Sequence, residues 1–324
     1  MNNKNDNFNC RLGAVGGQAV IEGLMMKSKD LVALSVRGTD GNISTEVKPF
    51  KSIRQKYKIL NTPVIRGVVN FVETMILSFK TLSRSADMLG IEEEESKFEK
   101  WLSEKFGKSI TAIASAVGTI LGLFFAVILF IYLPTQIAEF VKHINENRFL
   151  LSATEGIIKI AIFVLYIYLC GLIPDMKRVF QYHGAEHKSI FCHEAGFELT
   201  VENVKKMSRF HPRCGTSFLF VMMILGIISS MFIIHLPVFA RVPLKILFLP
   251  LVVGIGFEFI KFAGTHDNII TKIFSAPGLW IQRLTTKEPD DEQIEVAIAS
   301  LKASLPDFYP AENTGGDFQE DVNE

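Results

Sequence analysis

Thr216-Ser-Phe-Leu-Phe-Val-Met-Met-Ile-Leu-Gly-Ile-Ile-Ser-Ser-Met-Phe-Ile-Ile-His-Leu-Pro-Val-Phe239 contains no Lys, Arg, Asp or Glu. A helix of roughly 20 apolar residues crosses the ~30 Å hydrocarbon layer of a bilayer. Three further windows are almost as free of charge: residues 109–133, 152–173 and 242–260. One such stretch fits a buried core helix. Four in one chain predict a mainly α-helical, polytopic integral membrane protein with about four transmembrane helices. Pro134 and Pro174 are the expected stops of the first two windows, because proline lacks the N–H that a helix interior needs.

The charges lie outside these windows. The 34 basic and 34 acidic residues balance, so there is no basic surplus and no nucleic acid is expected as a partner. Lys and Arg concentrate in residues 174–215 and just before Ser109, whereas the loop between the first two windows carries only Lys142 and Arg148. The positive-inside bias then places residues 174–215 and both termini on the cytoplasmic side of the membrane. The first 30 residues are polar and Gly-rich, so no cleavable leader is expected. Cys10, Cys170, Cys192 and Cys214 fall in the expected membrane or cytoplasmic segments, where a disulfide framework is not expected.

Immediately before the quoted stretch lies the chemistry. His183, Glu186 and His187 occur within Tyr182-His183-Gly184-Ala185-Glu186-His187-Lys188, and His211-Pro212-Arg213-Cys214 follows. On a helix, positions 183, 186 and 187 share one face. The spacing matches an H-x-x-E-H arrangement in which two histidines hold zinc and the glutamate activates water. An H-x-x-C turn presents an imidazole and a thiolate, which suit a divalent metal, zinc above all. Two partitions stand open. Either His183, His187, His211 and Cys214 close a structural site, or three of them (or two with Glu258, at the edge of the last window) leave a position for water, with Glu186 as general base. Glu194 shares the His187 face as a ligand or supporting partner. Glu258 pairing with Lys261 is the alternative for that carboxylate. Cys192 and His193 face away. Arg213 with Gly215, Thr216 and Ser217 forms an anion clamp at a helix start, suited to a lipid phosphate.

The remaining chain divides by composition. Residues 1–62 hold a Gly-rich segment and a β-hairpin, whose strands Leu31–Val36 and Ile43–Val47 flank Asp40-Gly41. Residues 63–108 hold an amphipathic helix from Pro63, capped by Thr62 or Asn61, towards Met88, and then an acidic connector. Residues 109–263 form the transmembrane domain, with the His-rich loop 174–215 inside it. A short helix is expected around 201–209. Residues 264–306 form a C-terminal helix region, with a helix near 292–305 opened by an Asp290/Gln293 capping box. Residues 307–324 read as a disordered acidic tail.

Gly16-Gly17-Gln18-Ala19-Val20-Ile21-Glu22-Gly23, the two His-bearing motifs through Ser217, and the run from Pro277-Gly278-Leu279 to Gln282-Arg283-Leu284-Thr285-Thr286-Lys287-Glu288-Pro289 occur in this order. In these motifs the chain resembles the YqhQ-like family of bacterial multi-span membrane proteins. The resemblance implies membrane location and metal-dependent enzymology of unassigned reaction. The expectation is therefore a hydrolase acting at the cytoplasmic membrane surface on a lipid or membrane-bound substrate. The alternative is a membrane adaptor or lipid-phosphate binder with a structural zinc. A transporter is a weaker third reading.

Overall fold

The computed structural model describes residues 15–90, 109–142, 147–212, 214–265 and 269–310. The chain opens with an antiparallel meander of β1 (Gly16–Val20), β2 (Gly23–Lys27), β3 (Leu31–Arg37) and β4 (Ile43–Pro49), in that spatial order. The expected Asp-Gly hairpin is β3–β4, with Gly41 at φ 83° and the Asp40 carboxylate accepting from the Asn42 N–H. The Gly-rich segment forms a second hairpin, β1–β2, so the hairpin region is a four-stranded sheet. Its turn is Ile21-Glu22, with Glu22 at φ 47°. A side chain in that region stores about 1–3 kcal/mol of strain unless its surroundings hold it. The Glu22 carboxylate is held by the Arg178 guanidinium through both of its oxygens, and by the Tyr182 hydroxyl at 3.2 Å.

Sheet alternation divides the core. Leu24 and Met26 face one cluster, and Val20, Met25, Leu34 and Val36 face another. The second cluster packs on Leu77 and Met88 of a long helix and on Leu89 just beyond it. Burying each large apolar side chain contributes about 1.5–3 kcal/mol.

The helices follow as α1 (Ile53–Lys56), α2 (Ile65–Met88), α3 (Ser109–Val127), α4 (Leu133–Lys142), α5 (Arg148–Cys170), α6 (Pro174–Glu194), α7 (Val201–Lys205), α8 (Gly215–Ile233), α9 (Val238–Thr265), α10 (Ile269–Thr285) and α11 (Asp291–Ser304). Three of the expectations change here. First, α2 begins at Ile65 rather than Pro63, with Val64 as cap at φ 68° and no side-chain cap bond of its own. Tertiary contact overrides the local signal, because the Val64 backbone lies where a Cβ on Gly254 of α9 would sit, and its N–H is taken by Glu258. Second, the first apolar helix does not stop at Pro134. A π-helical turn, Ile128–Tyr132, joins α3 to α4, so the helix runs on through Pro134. Third, α7 is shorter than expected and α10 is an additional helix, running through Pro277. The capping box of α11 is present as read.

Three helices are long and apolar enough to cross a membrane: Val117–Val141, Phe149–Cys170 and Val238–Phe262. The stretch that begins the sequence argument gives a shorter apolar helix, Phe218–Ile233, because the turn at 234–237 cuts it. Gly156 on α5 receives the Ile227 side chain of α8, and Gly256 on α9 receives Met222. One end of this bundle continues into α6 and α10. There α6 and α11 cover the sheet, and Tyr182, Ala185, Ile294, Ala297 and Leu301 join Leu24 and Met26 in one core. The acidic tail beyond residue 310, the connector 91–108 and Arg213 lie outside the described residues.

Candidate metal centre

Helix α6 starts at Pro174 in its first turn, where proline is favoured, and places His183 and His187 one turn apart. Gly184 lies between them on a different face. A Cβ there would run into the Lys287 carbonyl, so glycine lets the 285–289 segment lie directly on the helix. The Lys287 N–H donates to the Phe180 carbonyl at 2.8 Å. This contact brings the Thr285 carbonyl to His183 Nδ1 at 2.9 Å.

The second histidine is held in the same manner. His187 Nδ1 lies 2.6 Å from the Arg209 carbonyl. A carbonyl only accepts, so both imidazoles carry their proton on Nδ1 and present a bare Nε2 lone pair. His183 Nε2 lies 3.3 Å from Cys214 Sγ. His187 Nε2 faces the same thiol, is buried and makes no hydrogen bond. Donor atoms of His183, His187 and Cys214 all lie within 4.8 Å of one another. Tetrahedral zinc with bonds of about 2.0–2.3 Å needs donors roughly 3.5 Å apart, a small contraction from this arrangement.

Cys214 reaches the site from the N-cap of α8. Its N–H closes the turn onto the His211 carbonyl at 3.3 Å. That turn is gripped by Gln282 of α10, which is fully buried. Gln282 Oε1 accepts from the His211 N–H, and Nε2 donates to the His211 carbonyl, each at 2.8 Å. Arg209 donates to the Thr286 carbonyl at 2.6 Å. Gln282, Thr285 and Arg209 are supporting residues that the sequence reading did not single out as site residues. They carry no metal-ligand spacing, and only the quoted Gln282–Pro289 run drew notice to that segment.

The other expected site residues are placed as follows. The His211 ring stands 5.7 Å from that of His187 and 4.4 Å from Phe191, and its Nε2 lies 3.4 Å from Glu194 Oε2. Glu186 is buried against β1, and a Cβ on Gly17 would meet its carboxyl carbon at 3.0 Å. Burial pushes its carboxyl up, against the opposing pulls of His183 and the Gly17 N–H. Burial likewise pushes the His187 imidazole down. Glu258 is not brought to the trio. Arg66 donates to both of its oxygens, one at 2.6 Å, while Val64 supplies a backbone N–H, so this carboxylate caps α2 from α9. Arg213 lies outside the described residues, and the Thr216 hydroxyl is buried without a partner. Cys192 and His193 point into the core behind the site, towards the Glu198 carbonyl and the Tyr309 hydroxyl.

A family profile described as protein of unknown function (DUF1385) matches residues 62–307. The uncharacterized protein YqhQ of Bacillus subtilis (strain 168) is 36% identical over 294 residues, covering 90% of this chain and 92% of that protein. No solved structure matches.

Proposed function

The chain belongs to the DUF1385 family, whose function is unknown, and from the site geometry we propose that it is a zinc-dependent hydrolase acting at the cytoplasmic membrane surface on a lipid or membrane-bound substrate. One observation carries this reading. Two histidines are each locked through Nδ1 onto a backbone carbonyl, and their Nε2 atoms converge with one thiol sulfur. Metal-ligating histidines are oriented in this way, and a partner on the far nitrogen fixes the tautomer that can ligate.

Three protein ligands suit a catalytic zinc better than a closed structural one, because a position stays open. His211, the expected fourth ligand, is directed to Glu194. His183 and Cys214 are only partly buried, so the open side is within reach of a substrate. Zinc held there by His183, His187 and Cys214 would supply a Lewis acid that lowers the pKa of water to about 7. Glu186, one helical turn from His183, would serve as the base. Membrane placement rests on the three long apolar helices, whose surfaces carry bare residues such as Leu123, Phe124, Ile157 and Leu247. Water-exposed proteins seldom leave such contiguous apolar area uncovered. The Lys/Arg-rich segment that carries the site sets the orientation.

Elemental analysis of the detergent-purified chain tests the metal. About one zinc per chain is expected, lost in His187→Ala and Cys214→Ala and retained in Glu186→Gln. Incubating wild type and Glu186→Gln with membrane lipid extract, and following lipid breakdown by mass spectrometry, tests the reaction. A wild type that stays metal-free after zinc loading overturns the proposal. One observation favours the adaptor with a structural zinc: the Gly17 N–H on Glu186 makes that carboxyl a strut between β1 and α6. In that case Glu186→Gln loses stability and no lipid breakdown appears in either protein.

A further inference from the structure

A second polar centre lies at the opposite end of the helical bundle from the His/Cys trio. Glu139 of α4, Glu155 and Lys159 of α5, and Arg241 and Lys245 of α9 form linked ion pairs there. Arg241 donates to Glu139, and Lys245 donates to Glu155 and to the Thr135 hydroxyl, the latter at 2.6 Å. Lys159 stands 3.8 Å from the same Glu155 oxygen. The Arg241 and Glu155 side chains are each only 1% exposed. These positions lie in the last turns of α4, the first turns of α5 and the first turns of α9, near the turn at 234–237. The trio follows the other ends of α5 and α9.

Among the described residues, three cations face two carboxylates in this cluster. In water such an imbalance is trivial. Within apolar helices an uncompensated charge is expensive, and ionisable groups at such depth mark functional sites. Arg241 Nε in the cluster, and the hydroxyls of Ser152 and Ser230 beside its level in the bundle, are buried donors with no acceptor. They share one level of the bundle. Ser152 lies one turn before Glu155 on the same face. Ile227 packs on Gly156, so Ser230, one turn further along the antiparallel α8, comes level with the turn that holds Ser152. A cleft of about 500 Å³, lined by Gln136, Val238 and Val242 among others, occupies the α4–α9 seam beside the Glu139–Arg241 pair.

Surplus positive charge with unmatched N–H and O–H donors is the complement of an oxyanion. The bare Glu155 Oε2 needs a donor, which free phosphate or a phosphomonoester offers through its P–OH and a phosphatidylglycerol head offers through its glycerol hydroxyls. We propose that this cluster is a phosphate-binding site, taking either the phosphodiester or phosphomonoester head of an anionic lipid or free phosphate, on the membrane side opposite the trio. Lys159 supplies the surplus charge, Arg241 Nε and the two serine hydroxyls supply directed donors, and the α4–α9 cleft is the entrance.

The test uses the zinc-loaded full chain in a phosphate-free sugar detergent, with inorganic phosphate or phosphatidylglycerol added. Thermal unfolding and native mass spectrometry are the readouts. One or both ligands should raise the unfolding midpoint of the wild type. Binding should weaken at least about tenfold in Lys159→Gln, which removes one charge-assisted contact and leaves both close ion pairs intact. A Ser152→Ala/Ser230→Ala double variant gives the same reading without touching a charge. A response to inorganic phosphate alone assigns a free anion, and retention of phosphatidylglycerol alone assigns a lipid head. No response in the wild type, or variants that respond like it, overturns the proposal. Zinc content in the same samples reports on the trio separately.

Discussion

Gln282→Leu removes a clasp without touching a donor atom of the trio. The amide makes two hydrogen bonds of 2.8 Å to the His211 backbone, and both partners are buried. Leucine matches its bulk and offers neither a donor nor an acceptor. The His211 N–H then loses its Gln282 acceptor while the C=O keeps the Cys214 N–H, and a buried group deprived of its partner costs about 1–3 kcal/mol. That loss is a sizeable part of a typical stability of about 5–15 kcal/mol. The loss falls on the turn that places Cys214, whose N–H bonds to that same His211 carbonyl. Changes to residues that orient ligands commonly lower metal affinity 10–100-fold. Chelator competition on detergent-purified protein should therefore show zinc held about 10–100-fold more weakly, beside a lower unfolding midpoint. If Gln282→Leu binds zinc as the wild type does while its midpoint falls, the clasp steadies the fold but does not position the thiolate, and the reasoning fails.

Gly184→Ala should destabilise by about 1–3 kcal/mol and loosen the His183 clamp, because its methyl would meet the Lys287 carbonyl; equal unfolding midpoints for variant and wild type would refute that contact. Glu258→Gln should leave zinc content unchanged while making residues 62–90 more sensitive to protease, because it breaks the Arg66 pair and the cap on Val64; loss of zinc instead would return Glu258 to the metal. The Arg178 guanidinium beside Glu22 holds its carboxyl below the ordinary range. A depressed carboxyl contributes stability that is fully present above its unfolded pKa of about 4.3 and is lost as pH falls through the folded value. Wild type should thus lose more stability than Glu22→Gln on acidification below about pH 4.5, read as the difference between their unfolding midpoints across that window.

Local periodicity explains which parts of the fold are readable from sequence. Long runs with few charges announce α5 and α9, and Asp40-Gly41 announces β3–β4. The β1–β2 hairpin is hidden for two reasons. Leu24, Met25 and Met26 are all buried because the sheet is covered on both faces, so the alternation that marks a strand is absent. The turn is Ile21-Glu22, which has no Gly, Asn or Asp, and its positive φ at Glu22 is held by Arg178, 156 residues away. Helix α10 is masked by Pro277-Gly278, which read as a break until packing carries the helix through them.

For the site, the donors are readable and their supports are not. Helical spacing pairs His183 with His187, and the H-x-x-C turn points to Cys214, because each signal spans four or five residues. Glu258 looks like a ligand because a carboxylate at the edge of an apolar helix has only Lys261 as a local alternative. Its true partner, Arg66, is 192 residues earlier in the chain, on a helix that α9 must meet in space. The same reasoning separates His211 from His187. Both sit in metal-like motifs, and His187 has a carbonyl on Nδ1 and an unspent lone pair on Nε2. His211 has Glu194 against its Nε2, a contact made across the turn from the end of α6. A metal site is thus defined less by which residues are imidazoles than by which nitrogen of each the surrounding backbone has already engaged. That depends on carbonyls at Thr285 and Arg209, which every residue possesses and no sequence pattern distinguishes.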